Sequence, residues 1–292
     1  MRVCSLLPSA TEIVAQLGSI DALVGVSAEC RWPPEVIGKP VVTAARIELA
    51  GLSNVEIDRT VREALREGRS LYAVDAQLLA ELAPDLIVTQ DLCAVCAVSG
   101  NDLRDACPAG ARVLSLDPRT LGDVAASVRT LAVELGRVER GEEIVSEMWE
   151  TIDATADAVR GLRPKRVFFA EWIDPPFCAG HWLPEMIELA GGTDVLGRAG
   201  QPSYPTTWEA VESAGPELVI VAPCGFDAAQ AAAAAADLDV RCPAIAVDAD
   251  SYYVRPGPRL ADGVAQLAHL FHPEHAPDPG LPALATTPVA HH

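Results

Sequence analysis

The feature that most constrains the fold is a stretch without proline, Leu121–Gly161, in a chain of 292 residues that contains 23 prolines. Apolar residues recur at helical spacing between Ile144 and Val159. A helix of about three turns is enough to connect two strands of one sheet, so a segment this long is typical of a spacer between lobes. We predict a long backbone helix at 121–163, with Gly136 as the place where it would break.

Strand and helix patterns alternate on both sides of this segment. The predicted strands are Arg2–Leu6, Ala22–Val26, Asp85–Thr89, Ala111–Leu116, Arg166–Glu171, Glu217–Ala222 and Ala244–Val247. Ser9 and Glu12 have the spacing of a capping box for the first helix. The sequence therefore predicts an α/β fold of two small lobes joined by a long backbone helix. The lobes are expected at 1–120 and 164–272, and the Pro-, Ala- and Thr-rich end, 273–292, is expected to be a disordered tail.

The loops that follow the predicted strands hold the candidate ligand contacts. In open α/β sheets a ligand lies beyond the carboxyl ends of the strands, so two facing lobes would form a cleft lined by these loops. The candidate contacts are Glu29, Trp32, Asp91, Glu171, Trp172, Phe177, His181, Trp182, Tyr204, Phe226, Tyr252, Tyr253 and Arg255. In a chain with only 5% aromatic residues, this concentration indicates contact with a flat ligand. The alternative is that the rings seal the surface between the lobes.

The net charge of −19 excludes partners that are themselves strongly anionic. Nucleic acid and an anionic membrane surface would both repel the chain. No stretch approaches the roughly 20 apolar residues that span a bilayer, so no transmembrane segment is predicted. The first residues, Met1–Pro8, lack the apolar run of a secretion signal. The sequence as it stands predicts a cytoplasmic protein, and an extracytoplasmic one only if a signal peptide was trimmed.

Four segments of the chain, in order around the predicted helix, carry a family resemblance. They are Arg2–Glu12 followed by Leu23–Ser27 and Trp32–Pro34, then Pro84–Val88, Asp174–Gly180 with Gly191-Gly192, and Tyr252–Arg259. Together they resemble the substrate-binding proteins of cobalamin and iron-chelate ABC importers, whose fold is the class III periplasmic-binding-protein type. The resemblance implies a cobalamin-like corrinoid or a related metal chelate as ligand and an ABC permease as partner. The chain would then be the receptor of an importer or a cytoplasmic carrier, without the family's signal peptide.

The resemblance also implies where a permease would dock. Receptors of this family present one surface carboxylate on each lobe to arginines of the permease. Glu209 is the matching residue of the second lobe. The first lobe has Gln77 at the matching place, and an amide forms no ion pair.

Two cysteines three residues apart leave a second function open. Cys93 and Cys96, with Cys30 and His181 from other predicted loops, would make a soft site for zinc, copper or an iron–sulfur cluster. A dipole at a helix N-terminus would keep His181 neutral and able to ligate a metal, although its ring could also cap a ligand or bond to a carbonyl. The alternatives are therefore a cytosolic metalloprotein or enzyme with this site, or thiols held only by local packing. No G-x-S-x-G, P-loop or HExxH motif is present, so we expect no enzyme.

Overall fold

The structure is a computed structural model that describes residues 1–47, 51–67, 71–90, 103 and 106–286. The chain forms two compact units. The first is built from Met1–Pro118 and Ala125–Val145, and the second from Arg119–Val124 and the residues from Ser146 onward. Among the described residues, no helix is long and apolar enough to cross a bilayer.

The first unit contains a four-stranded parallel sheet. Its elements are β1 (Val3–Ser5), α1 (Pro8–Gln16), β2 (Leu23–Val26), β3 (Thr43–Ala45), α2 (Asn54–Arg66), β4 (Tyr72–Val74), α3 (Ala76–Leu82), β5 (Leu86–Thr89) and β6 (Arg112–Ser115). The parallel strands have the order β2-β1-β5-β6, while β3 and β4 form a separate antiparallel pair. All residues of β5 are buried, which explains its unbroken apolar sequence.

The first helix does not have the capping box that the sequence predicts. It begins at Pro8 with Leu7 as its N-cap and no side-chain capping bond. Ser9 and Glu12 are both buried within α1. Proline is favourable at the first helical position because its missing N–H needs no partner there and its φ is already helical. The helix therefore starts two residues earlier than the polar pattern indicates, with Leu7 and not Ser9 as its N-cap.

The proline-free segment forms two helices, α4 (Leu121–Leu135) and α5 (Val138–Ala158), and not one. Gly136 stands between them with a φ of 66°, so the break expected there is present. The two helices pack against each other, because a Cβ atom added to Gly141 would lie 2.4 Å from the Cβ atom of Ala132. Part of the predicted spacer is therefore a packed helical hairpin of the first unit.

The second unit contains a mixed sheet. Its elements after α5 are β7 (Lys165–Ile173), β8 (Pro176–Cys178), α6 (Leu183–Leu189), β9 (Gly192–Asp194), β10 (Tyr204–Pro205), α7 (Trp208–Ala214), β11 (Leu218–Val221), α8 (Ala228–Ala234), β12 (Ala244–Val247), α9 (Ala249–Tyr252), α10 (Leu260–Phe271) and β13 (Ala283–Thr286). In the part of the chain that the structure describes, seven strands join this sheet in the order β10-β8-β7-β11-β12-β13, with β9 beside β7. The neighbours β7, β11 and β12 are parallel, so their carboxyl ends lie at one edge.

The last strand corrects the prediction of a disordered tail from residue 273. β13 runs antiparallel to β12, with Ala283 opposite Val247 and Thr286 opposite Ala244. The side chain of Gln266 in α10 donates to the carbonyl of Pro282 over 3.1 Å and fixes the approach to the strand. Four of the five prolines in 273–292 lie before β13, and the Ala-Leu-Ala-Thr segment itself pairs with the backbone of β12.

Candidate ligand-binding site

The loops after β7, β11 and β12 meet at the carboxyl edge of the second unit's sheet. The N–H of Cys224, after β11, donates to the carbonyl of Glu171 at the end of β7 over 3.1 Å. The N–H of Asp250, after β12, donates to the carbonyl of Phe226 over 3.1 Å. Backbone bonds therefore join the three loops into one surface. Edges of this kind are where open α/β sheets bind their ligands.

An aromatic pair lies on this surface. The rings of Trp172 and Phe226 meet edge to face, with centroids 5.7 Å apart and planes at 70°. Both residues are half-buried. The indole nitrogen of Trp172 is buried and forms no hydrogen bond to any described residue. Because an indole N–H can only donate, this geometry leaves a donor for an acceptor that the described residues do not supply.

His181 lies beside the same edge in a conformation that is unusual for its type. Its φ is 48°, in the left-handed region, and Ala83 is the one other non-glycine residue there among the described parts of the chain. The preceding Gly180 donates its N–H to the Glu171 carboxylate over 2.7 Å, which ties this turn to the end of β7. Burial, and then the positive charge of Arg119, lower the pKa of His181. The ring is therefore neutral near pH 7. The cause is burial together with the charge of Arg119, and not the helix dipole that the sequence suggests.

An ion pair occupies the loop after β12. Arg255 is 9% exposed and binds Asp250 through Nε and Nη2, at 2.9 and 2.6 Å. Its charge is thus already matched by a carboxylate in this loop. Tyr252 is half-buried, and the guanidinium carbon of Arg259 lies 5.5 Å from its ring centroid.

Two of the predicted contacts are core residues, which corrects their assignment as ligand contacts. Tyr253 is fully buried, and its hydroxyl donates to Oε1 of Gln266 over 2.7 Å. Trp182 is 6% exposed, and its indole N–H donates to the carbonyl of Tyr253 over 2.7 Å. The sequence places both residues in the correct loops, but it does not determine which side chains turn into the core.

Two other predicted contacts belong to the hairpin beside β7. Phe177 in β8 is opposite Trp172 in the strand register and is half-buried. Tyr204 in β10 packs against the core of the unit, and its hydroxyl donates to the carbonyl of Leu196 over 2.7 Å. Phe177 therefore lies next to Trp172 of the aromatic pair. The hydroxyl of Tyr204, in contrast, already donates to a backbone carbonyl of the protein.

The first unit places its described candidates after β2. Glu29 pairs with Arg31 over 3.4 Å at the surface, and Trp32 is half-buried. Cys30 is buried, with its sulfur 3.0 Å from Oγ1 of Thr11. Asp91, Cys93 and Cys96 lie outside the described residues.

The predicted metal site finds no support in the described residues. Within them, no group of three or more His, Cys, Asp or Glu side chains is arranged to hold a metal ion. The described neighbours of the Cys30 sulfur are the hydroxyls of Thr11 and, at 3.4 Å, Ser27. Hydroxyls of this kind are hydrogen-bond partners for a thiol and not a soft ligand set.

Glu209, the predicted docking residue, is exposed in the first turn of α7. Its own backbone N–H and the Thr207 hydroxyl lower the pKa of its carboxyl. The side chain is thus a charged surface carboxylate at neutral pH. Sequence reasoning missed the two partners Arg119 and Asp250, because neither the nearness of Arg119 to His181 nor the Arg255 ion pair has a sequence signature.

The comparisons with known proteins identify the family. The sequence pattern described as periplasmic binding protein matches residues 3–239. The chain belongs to the periplasmic binding protein family. This membership confirms the expectation of a binding protein and not an enzyme.

Individual members of the periplasmic binding protein family resemble the chain over most of its length. A vitamin B12-binding protein of Vibrio cholerae serotype O1 is 23% identical to it, over 91% of this chain and 87% of its own. A periplasmic heme-binding protein from Pseudomonas aeruginosa is 21% identical, with a TM-score of 0.71 and 99% of both chains covered. The periplasmic vitamin B12-binding protein structure from V. cholerae has 21% identity and a TM-score of 0.64, over 91% of this chain and 94% of its own. These structures confirm the predicted fold class.

Proposed function

We propose that this chain binds a corrinoid, and serves an ABC importer as its substrate-binding protein, with the loops after β7, β11 and β12 as ligand contacts. The observation that carries the proposal is the edge-to-face pair of Trp172 and Phe226 beside a buried indole N–H without a partner. Rings at such an edge pack on a macrocycle, while the N–H donates to an acceptor on its rim. Relatives named for vitamin B12 and for heme support a macrocyclic metal chelate as the ligand class.

The charges of the surface favour a corrinoid over heme. The rim of a corrinoid carries neutral amides, whereas heme carries carboxylates that need cations. Arg255 is paired with Asp250, and the carboxylate of Glu171 lies at the same edge. A chain with a net charge of −19 also repels an anionic ligand at long range. The half-buried, neutral imidazole of His181 is able to contact the metal or the rim.

A titration of the reduced protein with hydroxocobalamin, and separately with hemin, tests the proposal. Absorbance shifts should saturate at one hydroxocobalamin per chain. Trp172→Ala and Phe226→Ala should each weaken the affinity by roughly tenfold or more, since an aromatic contact with a buried ligand contributes about 1–2 kcal/mol. Trp149→Ala is the matched control, because Trp149 is a half-buried tryptophan that belongs to α5 and not to these loops.

The outcomes separate the candidate ligands. Saturation by hemin alone would replace the corrinoid by heme. Saturation by neither, with stoichiometric metal bound as isolated and lost in Cys93→Ser, would overturn the proposal in favour of the cysteine metal site. Fractionation of the producing cell tests whether the chain serves an importer outside the cytoplasm or is a cytoplasmic carrier.

A further inference from the structure

A segment of the second unit holds the backbone of His181 from both sides. Residues 194–204, called the strap below, run from β9 to β10. Within it, the carbonyl of Gln201 accepts the N–H of His181 over 2.6 Å, and the N–H of Gly200 donates to the carbonyl of His181 over 2.8 Å. Both backbone groups of His181 are therefore satisfied by the strap.

The contact between the strap and this turn leaves no free space. A Cβ atom added to Gly180 would lie 2.3 Å from the backbone nitrogen of Ser203 and 2.6 Å from the carbonyl oxygen of Gln201. The left-handed conformation of a non-glycine residue costs on the order of 1 kcal/mol and persists where its surroundings fix it. The strap supplies that constraint at His181.

Asp194 anchors the start of the strap. Its Oδ1 atom accepts the N–H of Leu196 over 2.9 Å and that of Gly197 over 2.6 Å. A Cβ atom added to Gly197 would lie 2.6 Å from the Cγ atom of Asp194, so the turn closes tightly over the carboxyl. The second oxygen, Oδ2, is buried.

The other contacts within the strap depend on this turn. The Tyr204 hydroxyl donates to the carbonyl of Leu196 over 2.7 Å, and the guanidinium carbon of Arg198 lies 4.0 Å from the Tyr204 ring centroid. Among the described residues, Cys178 in β8 and Tyr204 in β10 interact electrostatically with the Asp194 carboxyl, and Arg198 interacts with both of them. Displacement of the turn would therefore disturb the whole strap.

We infer that Asp194 is a positioning residue for ligand binding, which acts through the strap to hold His181 in its left-handed conformation at the edge of the sheet. The inference rests on the proposed function, since it assumes that His181 contacts the ligand. Asp194 itself does not touch the ligand. Its carboxylate orders the turn whose far end binds the backbone of His181.

The protonation state of Asp194 sets the strength of this anchor. Burial raises the pKa of Asp194 to about 6, against the opposing effect of the backbone N–H groups of Leu196, Gly197 and Phe169. The raised pKa means that the cost of burying the charged carboxylate exceeds the gain from its hydrogen bonds. The ordered strap therefore binds the proton of Asp194 more tightly than an open strap would, so affinity should fall as the pH rises to about 6.

The test is the dissociation constant of hydroxocobalamin, measured by absorbance at pH 5.0, 6.0, 7.0 and 8.0 for the whole chain and its variants. Asp194→Asn keeps one acceptor oxygen and the size of the side chain but has no charge. It should lack the wild type's fall in affinity between pH 5.0 and 7.0, a change on the order of fivefold. Asp194→Ala removes the acceptor oxygen and should bind more weakly than the wild type at every pH. Asp237→Asn removes an exposed aspartate of the same unit and should follow the wild type.

The possible results are distinguishable. If the wild type binds neither hydroxocobalamin nor hemin, the proposed function is wrong, and the inference that rests on it is wrong as well. If the wild type binds and Asp194→Asn has the same affinity and pH profile, the proposed function stands and the inference is wrong. Gly197→Ala disturbs the same turn with the carboxyl retained, so it replaces Asp194→Ala if that variant does not fold. Weaker binding by a folded Gly197→Ala variant supports the inference, and unchanged binding overturns it.

Discussion

Individual residues of the second unit show how burial determines the state of an ionisable group. His181 and Asp194 are both removed from water, and desolvation favours the neutral form of each. For the imidazole this means a lowered pKa, and for the carboxyl a raised one. Arg255, which is 9% exposed, is bound by the Asp250 carboxylate through two of its nitrogens.

The pH dependence of the free energy of unfolding should show the contribution of Asp194. Its pKa in the folded protein is about 6, above the ordinary value of 3.8, so the folded state binds this proton more tightly than the unfolded chain. Its contribution to the free energy of unfolding is present below pH 3.8 and is lost as the pH rises to about 6. Between pH 5 and 7 the wild type should lose about 1 kcal/mol of its free energy of unfolding through this group, and Asp194→Asn should not. Urea unfolding of both proteins at the two pH values measures the difference. The same pH dependence in both would contradict a raised pKa for Asp194.

The ion pair after β12 gives a second prediction at this scale. Asp250→Ala leaves Arg255 buried without this carboxylate. Loss of one partner of a buried pair is expected to lower the free energy of unfolding by about 3 kcal/mol. Glu29→Ala, which breaks the exposed pair with Arg31, should change it by less than about 1 kcal/mol. Thermal unfolding of the two variants makes the comparison, and equal effects would show that burial is not the determining factor.

The candidate site could be predicted from the sequence to the level of loops. Trp172 lies at the carboxyl end of β7 and Phe226 follows β11, so the rule that ligands lie at the carboxyl ends of strands predicts both as contacts at this edge. The direction of a side chain within a loop is decided by packing with distant residues. Tyr253 turns inward to meet Gln266 and Phe169, and no local pattern indicates this.

At the scale of secondary structure, close packing of α4 and α5 in the first unit depends on Gly141. Gly141→Ala should lower the free energy of unfolding by about 1–3 kcal/mol, because the added methyl group would overlap Ala132. Gly122→Ala in α4 is the matched control. Its nearest neighbour is Oγ1 of Thr120 at 3.6 Å, so the higher helix propensity of alanine should stabilise it by about 0.5–1 kcal/mol. Denaturant unfolding of both variants measures the two effects. An unchanged free energy of unfolding for Gly141→Ala would mean that α4 and α5 can move apart at little cost.

Elements with long apolar runs could be predicted, and short paired ones could not. Leu86–Thr89 and Leu218–Val221 are buried on both faces, so their sequences are continuously apolar and indicate buried strands. β10 has only the two residues Tyr204 and Pro205, and its pairing with β8 depends on the strap before it. A pattern of period two cannot appear in two residues.

For the whole molecule, docking on a permease should be separable from ligand binding. Glu209→Gln should leave the affinity for hydroxocobalamin unchanged but reduce stimulation of the importer's ATPase severalfold, because a surface charge pair mainly guides association. Glu212→Gln, one turn later on α7, is the control. Equal stimulation by the two variants would exclude Glu209 as a docking residue.

The pairing of β13 with β12 also bears on the order in which the chain folds during synthesis. Ser115 ends the last described strand of the first unit's parallel sheet, and the helical hairpin that completes the unit ends at Val145. The second unit's sheet joins Ala244 to Thr286, the last described residue. A ribosome makes about 5–20 residues per second, so the first unit has a head start of several seconds. Until the final segment emerges, β12 remains an open edge that a chaperone or a neighbouring nascent chain can bind.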